Sequence, residues 1–255
     1  MSTMPAELIR MIAGAIDSNS SSEDIKTPAS ANTPDNLNQA FGTLTEVRRF
    51  NPGDLVAWKK LPSGGSLKNR KNPQLHETAI VLEHFNEPLI IVEDDAGSPY
   101  FREPLDLVVG YVDKDGNFVI LHVDSRRFEA ANSPSTELAE LRERLLCRQI
   151  FTPGMLVTWK PGLRNRVLPL PGQPVVVERT LEGAIHDAKT RSGSPYFREP
   201  FDLICGLLDA DGEYAAYHYD SRRFMPYVLP EAAVTEGAVT RGNAKPKRRQ
   251  RNVIA

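Results

Sequence analysis

Residues 97–128 read GSPYFREPLDLVVGYVDKDGNFVILHVDSRRF, and residues 193–224 read GSPYFREPFDLICGLLDADGEYAAYHYDSRRF. Aligned without a gap, 20 of the 32 positions are identical. Agreement of that density between two stretches of one chain marks an internal duplication, and a repeat sets the architecture before any single element is considered.

The likeness extends upstream. Phe50-Asn-Pro-Gly-Asp-Leu-Val-Ala-Trp-Lys59 matches Phe151-Thr-Pro-Gly-Met-Leu-Val-Thr-Trp-Lys160, and Leu67-Lys-Asn-Arg70 matches Leu163-Arg-Asn-Arg166. Between these motifs the first copy carries five extra residues, around 62–66. An insertion there marks a surface loop, because buried backbone does not accommodate one. The copies run over about 50–129 and 150–227, each large enough for one small core.

Within the first copy, runs at 55–59, 78–84, 89–93, 105–113 and 117–123 read as five strands, with a tight turn at Asp113-Lys-Asp-Gly116. The second copy repeats the pattern at 156–160, 174–179, 184–188, 201–209 and 213–219, with a turn at Asp209-Ala-Asp-Gly212. Five short strands with a long first loop suggest a small closed barrel, since closure removes exposed sheet edges. The run Pro52-Gly-Asp-Leu-Val-Ala-Trp-Lys59 resembles the first strand of the generic SH3-like small barrel. That resemblance covers both copies, implies the barrel fold, and carries no family's functional residues onto this chain. The expected fold class is therefore all-β, with two tandem five-stranded SH3-like small barrels joined by a helix.

Outside the copies, residues 4–16 place apolar side chains at helical spacing, so 1–17 read as a short amphipathic helix. Residues 18–49 are rich in Ser, Asn, Thr and Pro and read as a disordered linker. Within 130–149, Leu138, Leu141 and Leu145 form the stripe of a helix between the barrels. Residues 228–255 end in Lys245-Pro-Lys-Arg-Arg-Gln-Arg251 and read as a disordered basic tail.

The 255 residues carry a net charge of −2. Residues 50–130 hold 9 Lys/Arg against 13 Asp/Glu, and residues 150–227 hold 9 of each. Near-neutral or acidic bodies weigh against wholesale wrapping of nucleic acid, whose affinity rests on many phosphate contacts. No apolar run reaches the ~18 residues of a membrane span, and no secretory leader is visible. Two cysteines, Cys147 and Cys205, make no disulfide framework. The expectation is a cytoplasmic protein in a reducing compartment.

Four motifs could carry function. In His122-Val-Asp124-Ser125-Arg126-Arg127-Phe128 and His218-Tyr-Asp220-Ser221-Arg222-Arg223-Phe224, histidine, aspartate and serine are the groups of acyl transfer. Their spacing opposes it, because on a strand His122 and Asp124 share a face and Ser125 points away. The aspartates read instead as turn caps, with the arginines paired to nearby acids. In Ser98-Pro-Tyr100-Phe-Arg102-Glu-Pro104 and its copy with Tyr196 and Arg198, two prolines stiffen a loop that presents tyrosine and arginine, a pairing enriched at binding hot spots. Lys68, Arg70, Arg164 and Arg166 lie in the first loop of each copy, with Trp58 and Trp159 nearby in sequence, a combination suited to phosphate or acidic peptide. The Asp-x-Asp-Gly turns lack the ligand spacing of a calcium loop. No zinc spacing, phosphate loop or dinucleotide fingerprint is present. The reading is a non-catalytic adaptor that contacts a macromolecular partner, a protein first, without cofactor or metal. The alternatives are a DNA- or RNA-binding protein using the basic loops and tail, and a hydrolase using His122 or His218 as base.

Overall fold

The computed structural model describes residues 32–91 and 96–229. The helix expected at 4–16 and the basic run at 245–251 lie outside them. The molecule is mostly β. Its elements run α1 (Pro34–Thr45), β1 (Leu55–Trp58), β2 (Ala79–Ile90), β3 (Pro104–Val112), β4 (Phe118–Val123), β5 (Phe128–Ala130) and α2 (Thr136–Leu146). They continue with β6 (Leu156–Trp159), β7 (Val175–Ile185), β8 (Phe201–Leu208), β9 (Tyr214–Tyr219) and β10 (Phe224–Pro226).

Two five-stranded antiparallel sheets result. The first has the order β4-β3-β2-β1-β5 and the second the matching order β9-β8-β7-β6-β10. The structure departs from the expectations at four points. Among the described residues no ladder joins β4 to β5 or β9 to β10, so the expected barrel closure is absent. The second and third expected strands of each copy are one strand, β2 and β7, whose pairing with β3 and β8 shifts register at Val81/Glu83 and His84/Leu89 and at Val177/Arg179 and Thr180/Ile185. The strand expected last, at 117–123, is β4, and a further strand that was not expected follows it: Asp124 caps a 3-10 turn at Ser125–Arg127, which redirects the chain into β5 beside β1. Finally, the segment expected as disordered linker contains α1, which starts on a Thr33 cap with proline in its first turn.

Each sheet buries one face by period-two alternation. In the first, Val56, Trp58, Val81, Leu107, Val109 and Phe128 pack together under Phe50. Val157, Trp159, Val177, Leu203, Cys205 and Phe224 do the same in the second. Both indoles are core: Trp58 Nε1 donates to the Pro73 carbonyl and Trp159 Nε1 to that of Pro169, each at 2.8 Å. The alternate positions of the first sheet form a further cluster, in which Ile80 and Phe118 meet Leu138, Leu141 and Leu145 of α2 and Leu163 of the second copy. The first sheet is thus covered on both faces, and its second cover comes from the segment that leads into the other sheet.

Candidate functional site

Six arginines of the two copies, Arg70, Arg126, Arg127, Arg166, Arg222 and Arg223, are spent on internal carboxylates. Glu103 is buried and receives Asn69 and Arg70, each at 2.5 Å, with Arg127 at 3.3 Å. Glu199, also buried, receives Asn165 and Arg166, with Arg223 at 3.7 Å. Arg70 lies over the Tyr100 ring at 4.2 Å and Arg166 over the Tyr196 ring at 3.8 Å. Arg126 and Arg222 each grip the aspartate two residues earlier, Asp124 and Asp220, through Nε and Nη2. Lys68 donates to Gln74 at 3.2 Å. The structure therefore gathers Arg70, Tyr100, Arg127 and their counterparts around one buried glutamate per sheet. Arg102 and Arg198 stay exposed, both at φ 51°. Arg164, next to Asn165 in sequence, is half-buried.

The His-x-Asp-Ser runs are likewise occupied. Ser125 Oγ donates to Asp106 and Ser221 Oγ to Asp202, both at 2.7 Å, so neither hydroxyl is offered to a histidine. His122 is pressed edge-on by Phe197 of the other copy at 5.1 Å and faced by Phe85 at 6.3 Å. Burial, with the nearby Arg198 and His186, pushes the His122 imidazole down to about 4. A neutral, desolvated ring with no partner for Nδ1 is a packing group here. Burial also pushes the Cys205 thiol up to about 12, which removes it as a nucleophile. Among the described residues, no cluster of His, Cys, Asp and Glu could hold a metal ion, and no helix is long and apolar enough to cross a membrane.

Two lysines that carry no functional signal in the sequence organise the helices. Lys59 Nζ donates to the carbonyls of Thr43 and Glu46 at 2.8 and 2.6 Å. Lys160 Nζ donates to those of Arg144 and Cys147 at 2.8 and 2.5 Å. In both copies the lysine reaches back 16 and 13 residues, to the C-terminal turn of the helix before its sheet. Free carbonyls and the negative helix end favour a cation there. Each sheet therefore holds a helix at the same place, although the sequence of the copies diverges there.

The feature left open is the outer face of the second sheet. Phe118 pairs with Val112 in the first sheet, and Tyr214 pairs with Leu208 in the second. Phe118 is 0% exposed under α2, whereas Tyr214 is 57% exposed and Leu208 59%. Leu156 and Ala216 lie on the same face and are also exposed. Sequence reasoning missed this surface. The one signal for it lay in the differences between copies, since Leu82, Phe118 and Ile120 give way to Glu178, Tyr214 and Ala216. No protein-family model, curated protein or solved structure matches this chain.

Proposed function

We propose that the chain is a non-catalytic adaptor built from two copies of one β unit, and that it contacts a partner protein through the outer face of its second sheet. One observation carries this reading: the same face is covered by a leucine-striped helix in the first sheet and is open in the second. Exposed, contiguous apolar surface rimmed by polar groups is characteristic of interaction sites. The complementary shape is an amphipathic helix laid on the sheet, with anchors at helical spacing.

The loop 98–104 is a second exposed contact of the chain in this reading. Phe197 already closes the junction between the sheets against His122. Its counterpart Phe101 is exposed, with Tyr100 and Arg102 beside it. The nucleic-acid reading has less support, because Arg70, Arg126, Arg127, Arg166, Arg222 and Arg223 are already paired internally. The hydrolase reading lacks an activated nucleophile for the reason given above.

A labelled peptide of residues 133–148, the helix that covers the first sheet, tests the reading by fluorescence anisotropy against the full chain. Saturable binding that Tyr214→Asp abolishes is expected. Absence of binding, or binding unchanged by Tyr214→Asp, overturns it.

A further inference from the structure

We infer that the helix received by the open face is α1 of a second copy of this chain, so that molecules join head to tail. The inference rests on the reading of that face as a helix-binding surface and names its occupant.

The template is the junction inside the molecule. There α2 lays Leu138, Leu141 and Leu145 on Ile80 and Phe118 of the first sheet. Arg223 donates to the Phe118 carbonyl at 3.2 Å, and the Phe118 amide donates to the Gly162 carbonyl at 2.7 Å. Phe197 packs on His122.

The helix, the face, the arginine and the aromatic pair of that junction each have a counterpart. Counted back from the anchoring lysine, Leu37, Ala40 and Leu44 of α1 hold the places of Leu138, Leu141 and Leu145. Leu37 is 54% exposed, its neighbour Phe41 67%, and no residue of α1 is buried. The places of Ile80 and Phe118 are held by Val176 and Tyr214 on the open face. Arg127 stands for Arg223 and makes the equivalent bond to its own loop, to the Leu67 carbonyl, as Arg223 does to that of Leu163. It has no counterpart of the Phe118 bond. Phe101 and His218, counterparts of Phe197 and His122, are both exposed.

The relation between the units excludes self-closure. Were they related by a two-fold axis, α1 would already cover the second sheet as α2 covers the first. Because α1 is uncovered, the step from the first unit to the second is open, and repeating it places the second sheet of one molecule against α1 of the next. Such a heterologous contact closes into a ring or continues as a filament. Ala40 in place of Leu141, and Glu178 in place of Leu82, make the contact between molecules less apolar than the one within, so association is weaker and reversible.

Sedimentation velocity of the full chain at increasing concentration tests the inference. Growth beyond the monomer is expected, with the dissociation constant raised at least about tenfold by Leu37→Asp or Phe41→Asp on one side and by Tyr214→Asp or Leu208→Asp on the other. All four side chains are exposed, and unchanged thermal melts of the variants establish that each still folds. The decisive arm mixes Leu37→Asp with Tyr214→Asp: each variant alone stays monomeric, and the mixture forms a 1:1 dimer and nothing larger, because one free helix and one free face remain. A chain that stays monomeric while the 133–148 peptide binds overturns self-association and leaves the helix-binding face standing. A monomer that also fails to bind the peptide removes both. Association that ignores these substitutions overturns the inference as well.

Discussion

Arg223 donates from Nη1 to the carbonyl of Phe118 across 105 positions of sequence, so one side chain of the second unit is a fixed part of the first. The same guanidinium donates to the Leu163 carbonyl at 2.9 Å and lies 3.7 Å from Glu199 and 3.8 Å from Asp220. It is buried among two carboxylates that are themselves buried. Removing a buried partner leaves the remaining charges uncompensated, which costs about 3–5 kcal/mol. Arg127, its counterpart, is partly exposed and makes one carbonyl bond.

Arg223→Ala is therefore expected to lower unfolding stability in urea by about 3–5 kcal/mol, and Arg127→Ala by about 1–2 kcal/mol. Equal losses would show that the bond to Phe118 adds nothing to the junction.

How much of this was legible beforehand divides along physical lines. The two sheets were readable because alternating apolar runs bounded by Pro, Gly and Asp turns are local signals, and each appears twice. The union of two expected strands into β2 was not, since pairing with β3 lapses after His84 and resumes at Leu89 across a register shift, a long-range event that the local pattern of Phe85 to Pro88 does not announce. Closure was inferred from the liability of free edges, but β5 leaves through a 3-10 turn and pairs with β1 alone. Helix α1 was hidden because its sequence is polar and shares only Leu37 and Leu44 with the apolar stripe of α2; what places it is Lys59, distant in sequence. Of the candidate site residues, the arginines and tyrosines do cluster, but around Glu103 and Glu199, whose burial no local pattern announces. The open face was invisible for a related reason: exposure of a sheet face depends on what covers it.

His122 supplies a pH dependence. Burial, helped by Arg198 and His186, holds its folded-state value at about 4, below the 6.5 of the free side chain. Between those values the unfolded chain binds a proton that the folded chain refuses. The stability contributed by the neutral ring is thus complete above about pH 6.5 and is lost as the pH falls towards 4. Thermal melts of the wild type and of His122→Leu should converge on acidification, the variant being less sensitive to acid over that window. Parallel curves for His122→Leu and the wild type would remove His122 from the junction's acid response.

The two outer faces can be told apart at matched glycines. A Cβ on Gly110 would stand 2.1 Å from the Phe118 ring, and one on Gly206 would stand 1.8 Å from the Tyr214 hydroxyl. The contacts are equally impossible as they stand, but the neighbours differ in what they can do. Phe118 is held between the sheet and α2 and has nowhere to move. Tyr214 lies at the surface, tied by one hydrogen bond of 2.8 Å to Glu178, and can swing outwards. Gly110→Ala should cost about 1–3 kcal/mol, as overpacking a filled site does, and Gly206→Ala less than about 1 kcal/mol. Urea unfolding of both variants reads the difference. If Gly206→Ala costs the monomer as much as Gly110→Ala, the outer face of the second sheet is not open in solution, and some part of the same chain covers it.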